Sequence, residues 1–323
     1  MIMSPRRLVS KLKPRSLRGM PTALMANRNK RPPRMPFFPI GRVLKVYGTL
    51  GNLEVRLART RGDLRRAQKL RYEVFYEEMD AIPNTKAMIS RRDRDPYDAV
   101  CDHLLVVDRG KMIPGSRIWR KRPRVVGTYR VLRQEVAERH GGFYTQGEYD
   151  IAPLLDARNK NYKFMELGRS CVLKPYRNRR TVELLWHGIW TYVREHGVDV
   201  MIGCASFPGV DPSAHALPLS FLHHHARAPE EWLVRAHDKY YVDMNMMPAE
   251  SINMKEALKA MPPLIKGYLR LGAYFGDGAV VDPQFGTTDV LVILPVEAID
   301  SRYFGHFGSP DKTSSALGQE TPN

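Results

Sequence analysis

Long apolar runs are missing from this chain of 323 residues. The longest candidate, Val290–Val296, is strand-sized and far short of the roughly 18 apolar residues that a membrane span needs. A bilayer-crossing helix is therefore not expected. Cysteine is also scarce: Cys101, Cys171 and Cys204 all fall in strand-like runs, and their spacing fits no metal or redox motif. They read as small buried hydrophobes in a reducing compartment, with no metal and no bound cofactor expected. Negative charge is absent from the start of the chain, where no acid precedes Glu54 while eleven Lys or Arg stand between Arg6 and Arg42. Prolines recur through the same stretch and exclude a continuous helix, so residues 1–45 read as a basic, disordered arm. The run Ser4-Pro5-Arg6-Arg7-Leu8 has the look of a twin-arginine export signal, but no apolar segment follows it. The expected location is the cytoplasm, with peripheral attachment to the inner membrane as the use of the arm.

The balance of charge, 51 Lys and Arg against 34 Asp and Glu, gives a net +17 and implies acidic partners. Nucleic acid, anionic lipid and acidic proteins all fit that charge. No zinc-finger, RNP or basic-zipper pattern is present, so no nucleic acid partner is expected. A basic membrane adaptor whose catalytic core has decayed remains as an alternative of another class.

From residue 46 the chain patterns as α/β. Leu53–Leu57 alternates as a strand, and Asp63 has N-cap character before the helical spacing of Leu64, Ala67, Leu70, Val74 and Phe75. Residues 80–97 read as a polar loop. His103–Val107 and Val125–Leu132 read as antiparallel strands joined by a basic connection. A long polar insertion at 133–163 precedes the strand Phe164–Leu173, a basic turn and a helix over 181–196, whose apolar face runs Val182, Leu185, Trp186, Ile189, Trp190, Val193 before Gly197 closes it. Val198–Phe207 is a strand, and Asp211 with Pro212 opens the next helix. Pro262-Pro263 precedes a shorter helix, Ala279–Val281 and Asp289–Leu294 are strands, and 309–323 reads as a disordered tail. The whole is a mixed central sheet flanked by helices over 46–308, with an extended C-terminal part at 211–308.

Chemistry concentrates around the strand–turn–helix unit at 164–196. A helix N-terminus gathers free N–H groups and partial positive charge, and Arg177, Arg179 and Arg180 add point charges there. The turn is either a phosphate site or an arginine-rich turn of a basic protein. Two other patterns carry little. His103 and Asp108 fit a His-x4-Asp spacing, but residues five apart in a strand point to opposite faces. His223-His224-His225 would diverge by about 100° per residue on a helix and chelate poorly.

Four ordered blocks carry a resemblance. Arg71-Tyr72-Glu73-Val74-Phe75, Asp95-Pro96-Tyr97-Asp98, Gly127-Thr128-Tyr129-Arg130 and Phe164-Met165-Glu166-Leu167-Gly168-Arg169-Ser170-Cys171-Val172 resemble, in order, the signature of the ornithine–acyl carrier protein N-acyltransferases. These form the hemolysin-like branch of the GNAT superfamily. Pro262-Pro263-Leu264-Ile265-Lys266-Gly267-Tyr268 and Thr287-Thr288-Asp289-Val290 extend the likeness, which spans about residues 53–300. Acyl-homoserine lactone synthases share similar Arg-x-x-x-Phe and Asp-x-x-Asp positions.

The resemblance implies a GNAT-like acyl-CoA N-acyltransferase fold and transfer of a 3-hydroxyacyl group from acyl carrier protein to the α-amine of ornithine, giving lyso-ornithine lipid. The acyl donor is then a phosphopantetheine thioester used as co-substrate. Alternative acceptors lead to other N-acyl amino acids or to acyl-homoserine lactones. GNAT proteins hold pyrophosphate with Arg/Gln-x-x-Gly-x-Gly/Ala, whereas this chain has Arg177-Asn178-Arg179-Arg180-Thr181-Val182, with both glycines missing. A single phosphate, as on acyl carrier protein, needs less backbone wrapping. An amine must lose a proton to attack a thioester, and Glu166 is the expected base, or else the partner of Arg169 or Arg130 in a salt bridge. Asp95 and Asp98 are candidates for the acceptor's side-chain cation, Arg71 and Arg130 for its carboxylate, and Arg169 is a further substrate-binding candidate. An ion-pair network ordering the 80–98 loop would use the same residues. Gly168, Ser170 and Val172 are expected beside the thioester, where backbone N–H groups would stabilise the oxyanion.

Overall fold

Segments rich in Val, Leu and Ile form nine strands among the described residues of this computed structural model, which are 45–114, 121–158 and 161–299. The expected arm up to residue 44 and the tail at 309–323 lie outside them. The strands are β1 Val46–Leu50, β2 Leu53–Leu57, β3 Asp102–Pro114, β4 Lys121–Arg133, β5 Phe164–Val172, β6 Val200–Pro208, β7 Tyr241–Val242, β8 Tyr274–Asp282 and β9 Thr287–Pro295. They make one sheet in the order β1-β2-β3-β4-β5-β6-β9-β8-β7. Every pairing is antiparallel except β5 with β6. A parallel pair needs a crossover, and the helix Arg179–His196 supplies it.

The helices are α1 Arg61–Tyr72, α2 Thr85–Ser90, α3 Gln134–Ala137, α4 Ala152–Arg158, α5 Arg179–His196, α6 Ala216–His225, α7 Met254–Ala260 and α8 Pro263–Arg270. Strand alternation sorts α1 and α5 to opposite faces of the sheet. Arg56 of β2 reaches Asp63 of α1 at 3.1 Å. Val55, one residue earlier, meets Gly188 of α5, where an added Cβ would lie 2.5 Å from its Cγ2. The glycine lets helix and strand approach closely, and the fully buried Val55, Leu104, Val106 and Ile189 fill the layers. Each such side chain contributes ~1.5–3 kcal/mol.

Several boundaries depart from the sequence pattern. Thr60, not Asp63, caps α1: its hydroxyl accepts Asp63 N–H at 3.0 Å, and Asp63 returns a carboxylate oxygen to Thr60 N–H at 3.2 Å. Asp63 is thus the third residue of a capping box. Asn178 starts α5 two residues before the expected position by accepting Thr181 N–H. Gly197, at φ 59°, ends it as expected. Asp211 caps only the 3-10 turn Pro212–His215, and α6 follows. The 80–97 loop contains α2, capped by Asn84. The stretch 133–163 is less polar than its sequence suggests, because Phe143, Tyr149, Ile151 and Leu154 are buried.

Candidate active site

Strands β5 and β6 pair only over Phe164–Glu166 and Val200–Ile202. Beyond that they part, while β6 stays with β9 to Pro208. Two local features drive the parting. Gly203 packs against the Leu167 carbonyl, where a Cβ would stand 2.2 Å from the oxygen. On the other edge of β5, Tyr129 of β4 alone faces both Arg169 and Ser170, since Thr128 pairs with Cys171 and Arg130 with Gly168. This bulge puts Arg169 at φ 52°. The cleft between Leu167–Val172 and Cys204–Ser206 holds a cavity of about 420 Å³. Val74 and Phe75 of the π-helical segment Glu73–Glu78, which continues α1, and its C-cap Met79 give the cavity an apolar wall.

The conspicuous charges beside the cavity form a closed network. Arg71 is fully buried and grips both oxygens of Asp98 at 2.8 Å, while its Nε lies 2.8 Å from Asp93. Arg130 pairs with Asp95, and with Asp98 at 3.4 Å. Arg169 reaches Asp95 at 3.3 Å and Asp93 at 3.5 Å, and stacks on Phe285 with its guanidinium 4.5 Å from the ring centre. Burial alone would raise the Asp95 and Asp98 pKa values, but Arg130 and Arg71 prevail and hold both carboxyls below the usual range. Three guanidiniums thus meet three carboxylates. Arg71, Asp95 and Asp98 stand off the cavity lining, and the ion-pair network that they form ties residues 93–98 to α1 and β4. Arg130 and Arg169 still border the cavity.

Glu166 takes neither arginine as an ion-pair partner. Its Oε1 accepts Thr145 N–H at 2.6 Å and the Thr145 hydroxyl, and its Oε2 accepts Tyr144 N–H at 3.0 Å. Burial raises its pKa, an effect that the Thr145 donors partly offset. Glu166 lines the cavity, and its Oε2 accepts one hydrogen bond against two at Oε1. Gly168, Ser170, Val172 and Arg177 line the same cavity. Arg177 is clamped to Glu78 and donates to the Val172 carbonyl at 2.8 Å. Arg179 and Arg180 stand outside the cavity wall on the exposed first turn of α5, Arg179 bound to Glu183 at 2.6 Å.

Three further carboxylates were not singled out from the sequence. Glu148, Asp282 and Asp289 bring oxygens within 4.8 Å of one another in the cavity wall. Burial, then Asp289, pushes Glu148 up to about 7, and the Cys204 thiol donates to it at 3.4 Å. Burial raises Asp289 to about 6, with the nearby Ser206 and Thr287 hydroxyls restraining the shift. An acid inside β9, whose every residue is buried, was the one available signal. Glu148 gave none, because its setting depends on contacts far along the chain.

The two minor patterns resolve as structure. His103 is neutral, its pKa lowered by burial to about 4, and its Nε2 lies 3.2 Å from the Asp98 carbonyl. Asp108 accepts the Tyr176 hydroxyl. His223–His225 end α6, and His224 sits 2.9 Å from the Met247 carbonyl.

Comparison with known proteins gives the family. A model of the GNAT acetyltransferase domain matches residues 70–187. An L-ornithine N(alpha)-acyltransferase of Brucella abortus is 53% identical, covering 82% of this chain and 92% of that protein. One from Agrobacterium fabrum is 55% identical, covering 81% of this chain and 87% of that protein. Among solved structures, an N-acyl amino acid synthase from uncultured soil microbes aligns at 12% identity with a TM-score of 0.40, over 76% of this chain and 91% of that one. With a splayed mixed sheet around a cleft that carries a buried carboxylate, the chain is an acyltransferase of the GNAT fold and belongs to the L-ornithine N(alpha)-acyltransferase family.

Proposed function

We propose that the chain transfers a 3-hydroxyacyl group from acyl carrier protein to the α-amine of ornithine, forming lyso-ornithine lipid. The observation that carries this reading is the cleft itself, in which an apolar wall lies beside Glu166 and the bulged edge of β5. The acyl chain lies along Val74, Phe75 and Met79. Glu166 takes a proton from the acceptor ammonium, directly or through one water, and the freed amine attacks the thioester carbonyl. Backbone N–H groups around the Gly168–Val172 bulge stabilise the oxyanion. Collapse of the intermediate forms the amide and expels the pantetheine thiolate, which takes the second proton lost by the attacking nitrogen, while Glu166 passes the first to solvent. The carboxylate of ornithine meets Arg130 and Arg169, which keep their cavity positions while paired.

Acyl carrier protein rather than acyl-coenzyme A is the donor in this reading. Arg177 is already engaged by Glu78 and the turn lacks glycines, which favours a single phosphate over a pyrophosphate. The +17 charge suits an acidic carrier. No helix among the described residues is long and apolar enough to cross a membrane. Peripheral attachment draws support from α2, where Ile89 is 82% and Met88 57% exposed beside the exposed Lys86, Arg91 and Arg94.

The test is the lipid profile of a bacterial host lacking ornithine lipids. Wild-type protein should produce lyso-ornithine lipid, and Glu166→Gln should lower its yield by roughly 10²–10⁴-fold with folding preserved. A profile without acylated ornithine, or with a different acylated amine, would displace the reading.

A further inference from the structure

We infer that the carboxylate wall of Glu148, Asp282 and Asp289 receives the side-chain ammonium of the acceptor and so selects a diamino acid over a neutral one. This rests on the reading of ornithine as acceptor. The charges around the cleft lead there by elimination. Arg71, Arg130 and Arg169 are matched by Asp93, Asp95 and Asp98. Glu148, Asp282 and Asp289 then remain, and among the described residues no Lys or Arg forms an ion pair with any of them. Carboxylates whose oxygens lie within 4.8 Å of one another repel when ionised, and a cation among them relieves that repulsion.

A second observation is independent of their charge. Asp289 is 8% exposed, and although the Ser206 and Thr287 hydroxyls lie near it, its Oδ1 accepts no well-formed hydrogen bond and the buried Thr287 Oγ1 makes none. Both residues line the cavity that Glu166 borders. Unsatisfied buried acceptors cost stability unless a ligand satisfies them. An alkylammonium offers three N–H donors and one positive charge, which suits this wall.

The two groups hang on one element: Thr145 binds Glu166, and Glu148 is the C-cap of the same 3-10 turn, Tyr144–Gly147. A divalent metal fits less well. Arg169 lies near enough to ease the charge of both Glu148 and Asp289, and it would repel a double charge more than a single one.

The test compares ornithine with norvaline, the same skeleton without the terminal amine, using one acyl carrier protein thioester. Wild type should favour ornithine in kcat/KM by at least about 100-fold. Asp289→Asn and Glu148→Gln should each reduce that ratio at least about tenfold, mainly through the KM for ornithine. Thermal melting shows which variants fold, and if Asp289→Asn does not, Glu148→Gln decides. An unchanged ratio in the folded variants overturns the inference alone. A wild type that leaves ornithine unacylated overturns the acceptor reading with it. Saturable binding of Mg²⁺, Mn²⁺ or Zn²⁺ by calorimetry, lost in the variants, would assign the wall to a metal and overturn the inference too.

Discussion

At Glu166 the two carboxylate oxygens have unequal surroundings, and that inequality suits a base. Oε1 is saturated by Thr145, while Oε2 holds only the Tyr144 N–H. The Thr145 hydroxyl lowers the Glu166 pKa against the opposing effect of burial. Removing it in Thr145→Val therefore raises that pKa further. A base works ionised, so the acid limb of the kcat profile should move to higher pH, and turnover near neutrality should fall several-fold. An unmoved limb in a pH–rate series would leave Glu166 as an anchor for residues 144–145 only. The sequence made Glu166 visible as an acid in an apolar strand. It gave no sign of Thr145, because the contact joins residues 21 positions apart.

Among the elements, the parting of β5 and β6 makes the cleft, and Gly203 holds its apex. A methyl there would collide with the Leu167 carbonyl, so one strand has to move. Gly203→Ala should cost about 1–3 kcal/mol in denaturant unfolding and lower turnover by about tenfold or more. Gly188→Ala would meet the Val55 side chain at 2.5 Å, away from the cavity wall, and should cost stability with less effect on rate. Helix α2 gives a different test. Replacing its most exposed apolar residue in Ile89→Glu should weaken sedimentation with anionic vesicles several-fold, and the wild-type binding should fade with salt. Equal binding by the variant would move membrane affinity away from α2.

Much of this architecture was legible. Alternation marked β2, apolar runs marked β3 and β4, helical period marked α5, and Gly197 marked its end. The strand–helix–strand order of β5, α5 and β6 was legible, while their parallel pairing came from the structure. Short helices in 80–97 and 133–163 were not legible, because tertiary contacts rather than apolar periodicity sustain them. The bulge at Arg169 depends on strand register, which no single segment reveals.

The whole molecule carries two opposed sets of shifted carboxylates. Asp63, held by Arg56 down to about 2 despite burial, and Asp95 and Asp98, also lowered, stabilise the fold at neutral pH. Their contribution is lost only in acid, for Asp63 as pH falls through about 2. Glu148 near 7 and Asp289 near 6 act the other way, since their ordinary values are 4.5 and 3.8. The folded protein holds more protons than the unfolded chain in that window. Stability is thus full below about 4 on their account and declines as pH rises through about 7. Without acceptor, the melting temperature should drop by ~2–5 °C between about pH 5 and pH 8, and Glu148→Gln should flatten the drop. Calorimetric scans across that range check it.

The central claim is that this cleft joins a carrier-borne acyl group to the α-nitrogen of ornithine. Its most direct test is a reconstituted reaction of purified protein, 3-hydroxyacyl–acyl carrier protein and ornithine, with the product read by fragmentation mass spectrometry. The account predicts acylation on the α-nitrogen, at a rate well above that with the matched coenzyme A thioester. Acylation of the side-chain amine, or turnover equal or faster with the coenzyme A thioester, would contradict it.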